Sequence, residues 1–359
     1  MTFGRPPVIP QSYIRVPPPR HIISYSRSSE LSKWSSNEDS TLFWNASISL
    51  YEVTSAVIDE LYESNIGSNM VIPLSKIVST VIHIGQKLAD WQTSLPLTMP
   101  LVEPNGVANA GDKYMLLKFR VVLTLRYHNL QVLLHRPIVD RCMQALEGSP
   151  QSTQEIATLQ QAWHLSRSVC LRSATAIIRL VEACKLANDV QPECSMLGAW
   201  WFTLYFTFNA SLTIVAIKLL EDSYVSSPFP IQGYSNGAER LDEILKSAVS
   251  SIARLDMQNH MVEQCAKFTA TLIFMVQSLR PIKADAHCGA GMVPASQIHP
   301  TDGNEASQPV SMPPHPGMDD ALANLTTCLP PNYNGFSGVG TYFAVSDLMD
   351  DFSTGDLFW

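Results

Sequence analysis

Residues 194–217 carry no charged side chain, and residues 200–208 within them (Trp-Trp-Phe-Thr-Leu-Tyr-Phe-Thr-Phe) are intensely apolar. A helix of about 20 uncharged residues is long enough to cross a bilayer. It also suits the centre of a large helical bundle, where a helix is apolar all round. Thr203, Thr207, Asn209, Ser211 and Thr213 interrupt the run. Its flanks (Lys185, Asp189 and Glu193 before, Lys218, Glu221 and Asp222 after) lack the strong Lys/Arg bias that orients a membrane span. The reading is therefore a buried core helix over 195–221, with no membrane. The alternative is a helical ligand-binding or membrane-associated protein built around 194–217. A buried helix of this kind needs partners on every side, and 359 residues at 46 % hydrophobic can supply them.

The rest of the chain reads as those partners. In 73–94, Ile77, Val81, Ile84, Leu88 and Trp91 recur by four and three, placing one apolar stripe on a helix. Residues 111–137 repeat the pattern with Leu116, Phe119, Leu123, Leu130 and Leu134, while Arg126, His128, Asn129, His135 and Arg136 add a polar seam. Pro137 has no N–H to donate and disfavours helix in the residue before it, so the helix is expected to stop there, with a short piece following up to residue 148. Further helices are expected over 41–63, 154–186, 238–256 and 260–279. No Val/Ile/Thr alternation bounded by hairpin turns occurs, so no sheet is predicted. The fold class is all-α: an irregular multi-helix bundle over 41–280 with a disordered C-terminal tail.

The flanks differ in composition. Residues 1–40 are rich in Pro and Ser and are expected to be extended. Residues 281–340 are rich in Pro, Gly, Asn, Ser and Met, a composition that cannot bury enough apolar surface to order itself, and are expected to be a disordered linker. In 341–359, Asp347, Asp350, Asp351 and Asp356 alternate with the apolar residues Leu348, Met349, Phe352, Leu357, Phe358 and Trp359. Acidic residues keep such a segment solvated while it presents aromatic and Leu anchors to a groove on a partner. An activation segment is favoured here over a bland tail; docking back on its own domain is the competitor.

Three motifs resemble one family. The chain opens Phe3-Gly4-Arg5-Pro6-Pro7, with Val16-Pro17-Pro18-Pro19 following; Arg126-Tyr127-His128-Asn129 leads to Leu134-His135-Arg136-Pro137; and Trp200-Trp201 opens the apolar helix. In order and spacing they resemble the regulatory (middle homology) domain of fungal binuclear zinc-cluster transcription factors, over roughly residues 1–280. The resemblance implies a transcription regulator in the nucleus, a dimer, and a transcription-machinery or coactivator partner. It also implies that residues 1–40 are the remnant of a loop inside a longer domain, and that the control of a biosynthetic gene cluster (secondary metabolism) is a natural role. In the family a module of six clustered cysteines holding two zinc ions lies upstream. Here Cys142, Cys170, Cys184, Cys194, Cys265, Cys288 and Cys328 are scattered, the closest two ten residues apart, whereas thiolates sharing a zinc sit two to four apart. Zinc is thus expected only in a module this chain lacks, no cofactor is expected in the chain itself, and DNA is reached through that module or a partner. The net charge of −8 and the lack of clustered Lys and Arg agree, since nucleic-acid affinity comes from basic clusters. They also leave no visible basic import signal.

No catalytic motif is present. There is no Gly-x-Ser-x-Gly elbow, no phosphate loop and no His-Glu-x-x-His helix, so the chain does not read as an enzyme. His128 and His135 stand seven apart, two helical turns, where a metal pair normally stands four apart; hydrogen bonding to neighbouring helices is favoured. Arg126 and Arg136 are expected to pair with carboxylates such as Glu182 or Asp140, or else to line a pocket for an anion. Trp200, Trp201, Phe202, Tyr205, Phe206 and Phe208 are expected to fill the core, with a ligand cavity walled by them as the alternative.

Overall fold

A computed structural model describes residues 13–20, 31–62, 72–107, 114–146, 152–190, 196–223 and 235–278. Seven α-helices make up almost all of these, in the order α1 (Leu31–Val57), α2 (Leu74–Ser94), α3 (Tyr114–Leu146), α4 (Thr153–Val190), α5 (Trp200–Ser223), α6 (Ser235–Ala253) and α7 (His260–Ser278). No strand occurs among the described residues. The fold is all-α. Gly4, Arg5 and Pro6 of the opening motif lie outside the described residues, as do the 281–340 linker and the anchors between Leu348 and Trp359.

The long pair α3 and α4 forms the spine. A first core joins α1, α2, the middle of α3 and the start of α4 around Leu50, Ile84, Leu88, Leu134 and Trp163. A second joins the start of α3 and the end of α4 to α5, α6 and α7 around Val121, Ile177, Ile214, Val249 and Ile273. A smaller one, around Leu204, Phe208 and Ile252, closes the far end between α5, α6 and α7. The stripe read from 73–94 is the buried face of α2, where Ile77, Val81, Ile84, Leu88 and Trp91 are all buried. Trp91 ties that face to α1: its Nε1 donates to the Ala46 carbonyl at 3.1 Å and lies 3.0 Å from Ser49 Oγ.

The apolar run is α5. By length and composition it is a helix that could cross a membrane, yet 72 % of its most apolar stretch is buried inside the bundle. Three of its polar residues are satisfied within the helix. Thr207, Ser211 and Thr213 each donate to the carbonyl four residues back, at 2.8 Å. At its end Lys218 is 3 % exposed and pairs with Asp242 of α6, while Glu221 pairs with Arg167 of α4.

Several boundaries shift by a few residues, α5 starting at Trp200 and α4 running to Val190, and two differ more. Helix α1 starts at Leu31, inside the 1–40 stretch expected to be extended. Every proline of that stretch precedes residue 20, so nothing after it forbids a helix. The larger correction is Pro137. Helix α3 does not stop there but runs on to Leu146 with the proline inside it and buried. Proline at 137 removes the N–H that normally bonds the carbonyl of residue 133. That carbonyl is recruited from outside: Tyr62 Oη donates to the Leu133 oxygen at 2.7 Å. Tyr62 is the last residue of a π-helical turn, Ile58–Tyr62, that continues α1. The orphaned acceptor and the widened turn that reaches it lie 71 residues apart.

Candidate functional site

The polar seam of α3 is where the family-like motif residues meet their neighbours. Helices α3 and α4 run antiparallel, and His128 Nδ1 lies 3.4 Å from Ser173 Oγ while His135 Nδ1 lies 3.1 Å from Ser166 Oγ. The histidines are seven residues apart in one helix and the serines seven apart in the other. The two pairs therefore repeat along one seam at the spacing of two turns. Burial and the nearby Arg172 guanidinium push both imidazoles down to about 4, so both are neutral near neutral pH. Among the described residues no group of three His, Cys, Asp or Glu side chains is arranged to hold a metal.

Arg126 turns the other way, toward α1. Its Nη1 donates to Ser47 Oγ at 3.1 Å, and the guanidinium lies 5.7 Å from the Phe43 ring centroid and 5.2 Å from that of Tyr51. This differs from the carboxylate partner expected for it. A guanidinium wedged between two aromatic faces keeps its charge through cation–π attraction without an anion. Phe43 in turn stacks on Phe119 at 4.5 Å. Arg136 does take the Asp140 partner, at 3.9 Å across one helical turn, both side chains about half exposed. Burial raises the Asp140 carboxyl above its ordinary range, against the pull of Arg136. The pair sits at the edge of a small cavity between α3 and α5.

The aromatic residues of α5 do not wall one cavity. Phe206 lies in the second core and Phe208 in the third, with Trp200 packed against the latter. Trp201 is 47 % exposed, meeting Trp200 edge-on at 5.8 Å. One cavity that touches α5 uses its later residues, Asn209, Leu212, Thr213 and Ala216. Sequence reasoning missed it because none of those residues belongs to a motif. Tyr62 was missed likewise; as one aromatic among several in 41–63, it carries no local mark of the job it does for Leu133.

Cys142, Cys170, Cys184 and Cys265 are buried and form no disulfide, and burial pushes the thiols of the last three up to about 12. A thiol held protonated is a poor nucleophile. The contacts of His128, His135 and Arg126 thus tie α3 to α4 and to α1.

The chain is similar to proteins named as fungal transcription factors. It is 27 % identical over 303 residues to Transcription factor FBD3 of Fusarium pseudograminearum, covering 82 % of this chain and 38 % of that protein. It is 25 % identical over 235 residues to the protein of the same name from Gibberella moniliformis, covering 64 % of this chain and 30 % of the relative. With Activator of stress genes protein 1 of Candida albicans it shares 21 % identity over 253 residues, 63 % of this chain and 24 % of the relative. The chain therefore spans less than two fifths of the length of these relatives. No protein-family model and no solved structure matches it.

Proposed function

We propose that this chain is the regulatory part of a fungal transcription regulator of the zinc-cluster class and acts by recruitment, without catalysis. The observation that carries this is the similarity to a protein named as a transcription factor over 82 % of the chain. The seam supports it: Arg126, His128 and His135 are spent on interhelical contacts, as in a domain that holds or relays a conformation.

In this reading DNA is reached through a zinc-holding cysteine module outside these residues or through a partner, and zinc belongs only to that module. The protein works in the nucleus, as a homo- or heterodimer, with no membrane association. Residues 341–359 deliver the output: Leu348, Met349, Phe352, Leu357, Phe358 and Trp359 form the apolar face that a coactivator or the transcription machinery takes up. Control of a biosynthetic gene cluster is the physiological role proposed.

The test is a tethered reporter in a fungal cell. The full chain, fused to an unrelated DNA-binding module, is expected to raise reporter output several-fold over the module alone. Changing Phe352, Phe358 and Trp359 to Ala should return it to background. Background output from a fusion that accumulates normally would sink the recruitment reading.

A further inference from the structure

Ahead of α1 the chain runs Ile14-Arg15-Val16-Pro17-Pro18-Pro19-Arg20, with neither helix nor strand and with every residue exposed. Ile14 and Val16 are apolar, yet 58 % and 81 % of their surface meets solvent. The prolines set the conformation. Their rings lock φ near about −65°, and Val16, Pro17 and Pro18 each precede a proline, which disfavours the helical region. What remains is the polyproline II conformation, with three residues per turn and no internal hydrogen bonds. Asn45 of α1 ties the segment to the domain, its Nδ2 donating to the Pro19 carbonyl at 3.0 Å.

A segment already extended in this way loses little conformational entropy when a partner takes it. Its chemistry selects that partner. Successive prolines present rigid rings that an aromatic-lined groove grips. No two prolines of 14–20 stand three apart, the Pro-x-x-Pro spacing that a two-slot groove reads, so one slot for one proline pair fits. Arg15 and Arg20 flank the prolines, and residues 1–29 hold four arginines and no Asp or Glu, in a chain of net charge −8. The complementary groove is therefore rimmed by carboxylates. A second proline pair points to the same class of partner. Pro330-Pro331-Asn332-Tyr333, outside the described residues, has the Pro-Pro-x-Tyr order that WW domains take.

We propose that residues 16–20 are a docking segment for a WW-type domain, a small protein module that holds a proline pair between aromatic rings and, here, sets acidic residues against the flanking arginines. The Asn45 contact keeps the segment beside α1, so the module docks on the domain itself and not on the 341–359 tail. The assignment stands whether or not the chain acts by recruitment.

The probes are two isotope-labelled WW domains, one of the class that takes Pro-Pro-Arg and one of the class that takes Pro-Pro-x-Tyr. Each is titrated with the full chain, and the indole N–H of its groove tryptophan is followed by NMR. The first domain is expected to give a saturable change at that indole. Pro17→Ala with Pro18→Ala should abolish it. Arg15→Glu with Arg20→Glu should weaken the affinity by roughly tenfold, about what two exposed ion pairs are worth. Tyr333→Ala should leave the first domain's binding unchanged. No saturable change with the unmodified chain overturns the proposal. Binding that survives the double proline change, or that is lost with Tyr333→Ala, places the contact elsewhere and overturns it too. The unmodified-chain titration decides the matter even where a variant fails to fold.

Discussion

Single side chains in this protein answer for backbone choices made far away, and Tyr62 is the clearest case. Its hydroxyl supplies the donor that Pro137 withholds from the Leu133 carbonyl. Tyr62→Phe should therefore leave a buried acceptor unpaired and lower stability by about 1–3 kcal/mol. In a Pro137→Ala background, residue 137 regains its N–H, and the same Tyr62→Phe change should cost measurably less. Chemical denaturation of the four variants gives the coupling directly; equal costs in both backgrounds would break the link. His128 and His135 make a second residue-scale prediction. Both hold folded values of about 4, below the ordinary 6.5, so protons bind the unfolded chain first as pH falls. Their contribution is full above pH 6.5 and is lost progressively as pH falls through the window down to about 4. The loss over that window is on the order of 3 kcal/mol per histidine. Denaturation midpoints at pH 7 and pH 5 should differ, and changing both residues to Asn should flatten that difference.

At the scale of elements, helix ends carry their own signals. Helix α4 begins with Ser152-Thr-Gln-Glu155, in which the Glu155 N–H donates to Ser152 Oγ at 3.2 Å and the Ser152 N–H donates to Glu155 Oε2 at 3.1 Å. This reciprocal cap satisfies two helix-end donors at once. Ser152→Ala should destabilise the protein by about 1 kcal/mol, read as a lowered melting temperature, whereas Ser152→Asp should restore most of it. Helix α7 starts in a related way, with Asn259 Oδ1 accepting from the Met261 N–H at 3.0 Å. Between α2 and α3 the connection is pinned from the side. The Val102 N–H donates to Thr124 Oγ1 at 2.9 Å, and Arg120 Nε donates to the Pro100 carbonyl at 2.8 Å. A loop whose backbone is tied this way moves with α3.

At the scale of the whole molecule, α5 decides how the bundle closes, because it meets α3, α4, α6 and α7. Its buried Lys218–Asp242 pair joins it to α6. Removing one member leaves a desolvated charge, so Lys218→Ala should cost about 3–5 kcal/mol. Replacing both, as Lys218→Met with Asp242→Leu, should recover most of that loss. Recovery would be visible as a melting curve returned close to that of the unmodified chain, and no recovery would mean that the pair does more than balance its own charges.

The period of the apolar residues made several elements legible. The face of α2 and the burial of α5 follow from spacing and composition, since a stripe at helical period or an uncharged run has few other uses. The all-α class follows from the same signals. The histidine seam was legible as a pattern, two polar groups on one face two turns apart, but its serine partners on α4 were not. What only the tertiary structure decided are the acts of compensation. Local chemistry says that proline ends a helix, and a tyrosine 75 residues earlier in the chain reverses that outcome at Pro137. Charge rules sent Arg126 to a carboxylate, and two aromatic faces of α1 hold it instead. The cavity beside Asn209 exists because two helices leave space between them. Periodicity is a property of one segment and can be read along the chain; a hydrogen-bond debt or a void is settled by whichever other segment arrives.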